Sequence, residues 1–349
     1  MTGSSRRDSL GGLAAGALLM AAAVVTLAAA PAWTPQVSGV SARLRGVSAV
    51  SDRIVWASGE KGTVLRTADG GATWQPLSIP GTASLDFRDI DAIGDRVAYA
   101  LSIGPGNASR IYKTTDAGAT WVMQFTNQDP AAFFDAMAFW DAERGVAFSD
   151  SVDGQFVILI TSNGGQQWTR VALEGLPAAL PGEGAFAASG TNVAVRDANT
   201  VWIGTTKGRV LRSLDAGRTW TVAPTGLATS ATAGIFSIAF RDLTHGIVVG
   251  GDYKQERAVG DNAAVTSDGG QTWTTVGGLG GFRSAVAYLP GSTTSSLIAV
   301  GPSGADLSND DGRSWAAIAG DGFHALSVDP RGRVAWGVGE SGRIGRLRW

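Results

Sequence analysis

No cysteine occurs among the 349 residues, and histidine appears only twice, as His245 and His324. The first absence excludes a disulfide framework, a thiol nucleophile and any cysteine-built zinc or iron–sulfur site. The second excludes a three-histidine metal centre within one chain. Charge is sparse as well: Asp, Glu, Lys and Arg make up 17% of the chain, below the usual ~25%. With 28 basic and 30 acidic side chains the formal net charge is −2. No basic excess is available to neutralise a phosphate backbone, so nucleic acid is not an expected partner. No strand–GxGxxG–helix unit is present, which argues against a dinucleotide oxidoreductase, and no cofactor is expected. What the chain has in excess is Gly, with 49 residues, and Trp, with 12.

The N-terminal segment reads as an address. Arg6 and Arg7 precede the uncharged stretch 10–30, which ends in Ala30-Pro31-Ala32, a small-x-small pattern suited to signal peptidase. Ser5-Arg6-Arg7-Asp8-Ser9-Leu10 is similar to a twin-arginine signal, with Ser9 where that motif prefers Phe. Two readings stand: a signal peptide over residues 1–32, or an uncleaved single-span anchor, since the stretch is long enough to cross a bilayer. Either way, residues 33–349 are expected outside the cytoplasm, periplasmic or extracellular.

The remainder is a repeat. Thr67 to Trp74 (TADGGATW) returns as Thr114 to Trp121 (TTDAGATW), Thr161 to Trp168 (TSNGGQQW), Ser213 to Trp220 (SLDAGRTW), Thr266 to Trp273 (TSDGGQTW) and Ser308 to Trp315 (SNDDGRSW). The closing Trp residues are 47, 47, 52, 53 and 42 positions apart. Each octapeptide has the chemistry of a hairpin turn. The Asp (Asn163 in the third copy) accepts from the turn's amides, Gly supplies positive φ, and the Trp begins a strand and packs sideways. Short β-branched and apolar runs precede each copy, such as Thr63-Val64-Leu65-Arg66. Four short strands per ~45 residues describe a propeller blade.

The ends of the repeat interlock. Val334 to Ile344 restates Val55 to Val64, and the chain stops at Trp349 where an octapeptide and fourth strand should follow. Trp33-Thr34-Pro35-Gln36-Val37 matches Trp74-Gln75-Pro76-Leu77-Ser78, so the N-terminal strand is predicted to complete the last blade. The expected fold is all-β: one seven-bladed β-propeller over 33–349, with four-stranded antiparallel blades. Ten of the twelve Trp residues occupy repeat positions, which makes them core residues. The octapeptides resemble the Asp-box (BNR) repeat of sialidase-type propellers. The run of GVAFSD, GIVVGGD and DGGxTW phrases is most similar to the photosystem II stability/assembly factor-like family of extracytoplasmic propellers. That resemblance implies assistance to a membrane protein complex.

Candidate functional residues are those the repeat does not explain. Aligning the inner strands gives one position per blade: Arg45, Arg88, Asp135, Asn192, Ser237, Arg283 and His324, with Ala187 the alternative in the fourth. Inner strands line a propeller's channel, so these side chains are expected at its mouth, where three Arg suit a small anionic group such as a carboxylate. The competing reading is a solvated polar plug. Loops on the same face break the repeat, at 102–110, 149–156, 173–185 and 251–262. They contribute the rim candidates Asp150, Asp153, Glu183, Asp252, Tyr253 and Lys254. Asp135, Asp150, Asp153, Glu183 and Asp252 form an expected acidic side. Their spacing is not that of a Ca²⁺ loop, and no metal is expected.

The function expected is therefore an exported, non-enzymatic binding propeller with a protein partner, an assembly or stability factor for an envelope or membrane complex. The alternative is a sialidase-like glycan hydrolase, in which Arg45, Arg88 and Arg283 imitate the arginine triad of those enzymes. Tyr253 near Glu256 is the one tempting nucleophile pair, and the Arg-Ile-Pro sequence of that family is absent. No catalytic residue is assigned.

Overall fold

The computed structural model describes residues 1–3, 31–291, 295–331 and 333–349. The export signal expected at 1–32 falls almost wholly on residues 4–30, outside the described residues. The propeller is the unit Pro31–Trp349. Among its described residues, 28 strands form seven four-stranded antiparallel sheets, each built from consecutive strands except the last. That sheet combines Ala325–Val328, Val334–Val338 and Ile344–Arg348 with Trp33–Gln36 from the other end of the chain. The pairing runs Trp33↔Leu347, Thr34↔Arg346, Pro35↔Gly345 and Gln36↔Ile344. Pro35 is tolerated because this strand is the blade's outer edge, where a missing N–H breaks no ladder. The seven blades and the N-terminal closure agree with the sequence expectation.

The octapeptide geometry explains why it repeats. In the first copy Thr67 Oγ1 accepts from Gly71 N at 3.0 Å and donates to Asp69 Oδ1 at 2.8 Å. Asp69 in turn accepts from Thr73 N at 2.9 Å and Thr73 Oγ1 at 2.7 Å. The same bonds recur at Thr114/Asp116, Ser213/Asp215, Thr266/Asp268 and Ser308/Asp310. Two consecutive residues of each turn are left-handed. The first is variously Gly70, Ala117, Gly164, Ala216, Gly269 or Asp311, whereas the second is Gly in all six copies. The second packs closely on the neighbouring blade: a Cβ on Gly71 would meet the Trp336 ring at 2.8 Å, and one on Gly312 would meet Ile247 at 2.5 Å.

Aromatic side chains then weld blade to blade. Trp74 meets Trp336 of the previous blade edge-on at 5.8 Å, and Trp121 meets Trp56 at 6.1 Å. Trp56, Trp202 and Trp336 are completely buried, and Trp74 and Trp220 nearly so. Trp121, Trp168, Trp273 and Trp315 keep a partly exposed edge.

Around the channel, neighbouring inner strands diverge too far for a continuous ladder and are joined by side chains. Ser327 Oγ accepts from Ala49 N at 2.9 Å, Ser48 Oγ from Ala92 N at 3.0 Å, and Asp91 Oδ2 from Phe139 N at 2.8 Å. One register earlier, Asp89 Oδ2 accepts from Met137 N at 2.7 Å and Ser237 Oγ from Val286 N at 3.0 Å. Burial pushes Asp89 well above the usual carboxylate range and Asp91 up to about 6.

Two outcomes are expected. Gly71→Ala should cost about 2–4 kcal/mol from left-handed strain plus overpacking, whereas Ala117→Gly should stay within about 1 kcal/mol of wild type; urea midpoints at constant m-value check both. The folded state holds the Asp91 proton more tightly than the unfolded chain does. That stability is full below the unfolded value of 3.8 and is lost as pH rises through about 6. Asp91→Asn, which keeps the acceptor for Phe139 N, should therefore raise Tm at pH 8 and leave it nearly unchanged at pH 4.

Candidate functional site

Four of the inner strands open with a β-bulge, which re-aims one side chain toward the channel mouth. The register shifts fall between Leu44 and Gly46, Phe87 and Asp89, Phe134 and Ala136, and Ile235 and Ser237. The bulged residues are Arg45, Arg88, Asp135 and Phe236. Cross-strand partners fix the equivalent positions elsewhere. Gly46↔Ser58, Ser237↔Val249, Ala285↔Val300 and Ala325↔Val338 occupy one register, and Gly204 N bonds Asn192 O at 2.9 Å in the same place. The ring is therefore Arg45, Arg88, Asp135, Thr191, Phe236, Ser284 and His324. Asn192, Ser237 and Arg283, expected in it, each lie one residue away. Phe does not mark one register along the inner strands: Phe236 and Phe282 turn toward the mouth while Phe87 and Phe134 turn into the cores between blades.

The displaced residues have other tasks. Arg283, 3% exposed, reaches Asp306 through Nε and Nη2 at 2.7 Å, and donates from Nη1 to Phe282 O at 2.8 Å. It is a buried structural ion pair, not part of an anion site. Ser237 holds Val286 N and Thr191 Oγ1. Asn192 is buried with neither side-chain atom paired. Ala187, the alternative in blade 4, is not in the ring, but its carbonyl reaches the mouth.

Residues 185–190, the end of a long inter-blade connection, close the channel floor. Arg88 donates from Nη1 to Ala187 O at 2.8 Å and Arg45 from Nη1 to Ala188 O at 3.4 Å. Ser189 Oγ donates to Ser284 O at 2.8 Å, and Phe186 stacks on Phe236 with centroids 4.0 Å apart. Above this floor lies a cavity of about 400 Å³. Arg43, Arg45, Arg88, His324 and Glu340 form one part of its wall, and Phe186, Phe236, Phe282, Tyr253 and Glu256 another.

The cationic wall is electrostatically crowded. Burial, then the charges of Arg88 and Arg43, bring Arg45 down to about 10, and its Nε has no partner. Arg88 is steadied by Asp86, Nε to Oδ2 at 2.9 Å. His324 is pulled down to about 4 by burial and by Arg45, so its neutral ring donates from Nε2 to Glu340 Oε1 at 2.7 Å. Asp135 is buried and held well above the usual carboxylate range by burial and by Asp150. It does not line the cavity.

The expected rim divides. Tyr253 is 39% exposed and lines the cavity, with Lys254 Nζ over its ring at 5.3 Å. Asp252 accepts from Lys254 N at 2.8 Å and shapes that loop. Glu183 is buried instead: it takes Thr205 Oγ1 at 2.7 Å, Leu180 N at 2.8 Å and the Arg209 guanidinium. Asp150 is half-buried and raised to about 6, and Asp153 sits left-handed in a hairpin turn. Among the described residues, no group of three or more acids and histidines converges as metal ligands would. Arg43, Glu340, Phe186, Phe236 and Phe282 are not among the candidates the sequence offers, whereas Tyr253 is. Glu340 is the repeat equivalent of Glu60, and Phe186 lies in a connection already marked by its length.

Removing one half of the buried pair should be costly. Arg283→Gln is expected to lose about 3–5 kcal/mol by leaving Asp306 unpaired, and Arg283→Met with Asp306→Leu should recover most of it; denaturant unfolding of the three variants checks this.

No family model matches the chain. Over 124 residues it is 31% identical to the photosystem II stability/assembly factor HCF136 of Arabidopsis thaliana chloroplasts. That match covers 35% of this chain and 29% of the relative, so it spans less than a third of the curated protein's length. Among solved structures, the chain is similar to YCF48 bound to D1 peptide, at TM-score 0.65 and 16% identity over 91% of this chain and 97% of that one. It is similar to YCF48 from Cyanidioschyzon merolae at TM-score 0.66 and 16% identity, over 91% and 99% of the two chains. An ancestral GH74 enzyme matches at TM-score 0.64 and 16% identity, over 91% of this chain and 46% of that one. At such identity these structures share the fold, and the chain is a seven-bladed propeller similar to the photosystem II stability/assembly factor HCF136 and to YCF48.

Proposed function

We propose that this chain is an exported, non-enzymatic propeller that docks a protein partner on its arginine-bearing face and acts as an assembly or stability factor for an envelope or membrane complex. The observation that carries this reading is the crowding of Arg43, Arg45 and Arg88 around one open cavity. Cations gathered against their own repulsion and partly stripped of water are poised for an anionic group, and burial with its neighbours' charges brings Arg45 down to about 10. The similarity to YCF48, a propeller solved with a D1 peptide, supports a polypeptide as the partner. The loops at 102–110, 149–156 and 251–262 broaden the same face. Export rests on the sequence of residues 1–32.

A hydrolase reading has one observation in its favour: Tyr253 and Glu256 line the same cavity as Arg45 and Arg88. Against it, Arg283 is locked onto Asp306, so the imagined arginine triad has only two members at the mouth. Asp135 is buried away from the cavity and does not supply an exposed acid.

Affinity purification of the tagged full-length protein from gently solubilised envelopes should recover a membrane complex. Arg45→Glu and Arg88→Glu should each reduce that recovery at least fivefold while leaving the thermal unfolding of the propeller in place. Recovery of the bait alone, or turnover of a fluorogenic sialoside that vanishes in Arg88→Ala, overturns the docking reading.

A further inference from the structure

The mouth is two-sided, and beside the arginines stands a second wall of different chemistry. Phe186, Phe236 and Phe282, with Ala188, form a small apolar cluster of their own, separate from the cores between blades. Phe236 and Phe282 meet edge-on at 4.6 Å, and Tyr253 closes on Phe186 and Phe236 at 6.2 Å from each. Phe236 and Phe282 are nearly buried, so what faces the cavity is chiefly the partly exposed Phe186 and Tyr253 rings over a fixed aromatic floor. Phe236 stands at the same ring position that carries Arg45 and Arg88 in other blades. One register thus supplies a cationic wall and an aromatic wall to one cavity.

The plug sets how far apart the walls lie. Phe186 stacks on the aromatic floor and the next residue, Ala187, accepts from Arg88. Consecutive Cα atoms are about 3.8 Å apart, and alternate residues of an extended chain about 7 Å. The two walls are therefore within reach of neighbouring side chains of one polypeptide. The floor closed by Ala187 and Ala188 stops a chain from threading inward, so it crosses the mouth and presents its carboxylate from a side chain.

We propose that the mouth recognises an internal acidic–aromatic pair of the partner polypeptide, an Asp or Glu one or two residues from a Phe, Tyr or Trp, with the carboxylate on Arg45 and Arg88 and the ring against Phe186 and Tyr253. This deepens the docking reading and rests on it. Charge complementarity selects the acid, and offset or edge-on ring packing selects the aromatic over an aliphatic residue of similar size. Neither wall alone distinguishes such a segment from any other acidic or any other apolar one.

The test uses the intact propeller and end-blocked, fluorescein-labelled octapeptides of Gly and Ser carrying one Glu-Phe pair. Anisotropy titration should show that Phe→Ala and Glu→Gln in the peptide each weaken binding about tenfold. Phe186→Ala and the exposed Tyr253→Ala should weaken the Glu-Phe peptide similarly but leave the Glu-Ala peptide unchanged, a coupling that simple destabilisation would not produce. If Phe186→Ala and Tyr253→Ala have no effect while Arg45→Gln abolishes binding, the aromatic subsite is overturned and arginine docking survives. If Arg45→Gln and Arg88→Gln also have no effect, both fall. Equal affinity for free 3-phenylpropanoate, or binding only of peptides with a free C-terminal carboxylate, overturns the internal pair.

Discussion

The pairing of Trp33–Gln36 with Ile344–Arg348 is the contact on which the molecule depends. Six blades are each made from consecutive strands and fold from local hairpins, but a ring of such blades has a seam. Without the N-terminal strand, the last sheet would end on an unpaired edge beside the first blade. Four residues from the far end of the sequence remove that edge, and the link is reinforced by Leu44 N to Gly339 O at 2.9 Å and Gly342 N to Ala42 O at 2.7 Å. A chain without cysteine thus gains a long-range closure from main-chain hydrogen bonds. The opposing term is loop-closure entropy across the whole propeller, offset by a contact that also buries Trp33 against Phe323 at 4.5 Å.

Closure explains why the interior tolerates so many polar groups. Inner strands splay around the channel, and their free N–H groups must be satisfied by something other than a neighbouring strand. Ser48, Asp89, Asp91, Ser237 and Ser327 do this. Buried acids in this setting are joints between blades, and their raised proton affinity follows from burial rather than from catalysis. Glu183, which ties the connection before the fourth blade to Arg209, and the Arg283–Asp306 pair inside the sixth blade are likewise structural. Charged residues near a channel mouth are therefore poor guides to function until their partners are known.

What is left after these joints are subtracted is small and coherent. Arg43, Arg45 and Arg88 are crowded on one side of a cavity, aromatic rings stand on another, and the 185–190 plug forms the floor between them. Each wall derives from a departure from the repeat: bulges that turn single side chains inward, a lengthened connection that supplies the plug, and a loop that carries Tyr253. A regular scaffold with irregular contributions on one face is the usual way a repeat architecture acquires a binding surface.

The sequence by itself determined the number of blades, the octapeptide turns, the closing strand and the presence of arginines on one face. All of these follow from short-range chemistry repeated in register: a turn that needs Asp and Gly two residues apart reads the same in every copy. It did not determine which inner-strand residues meet at the mouth. The placements of Asn192, Ser237 and Arg283 failed by one residue each, because apolar residues do not mark one register from blade to blade: Phe236 turns toward the mouth whereas Phe87 and Phe134 enter the cores, and a one-residue slip moves a side chain to the opposite face. Nor did it reveal that Arg283 and Glu183 are committed to Asp306 and Arg209. Those partners lie 23 and 26 positions away on other strands, and only the folded sheets bring them together.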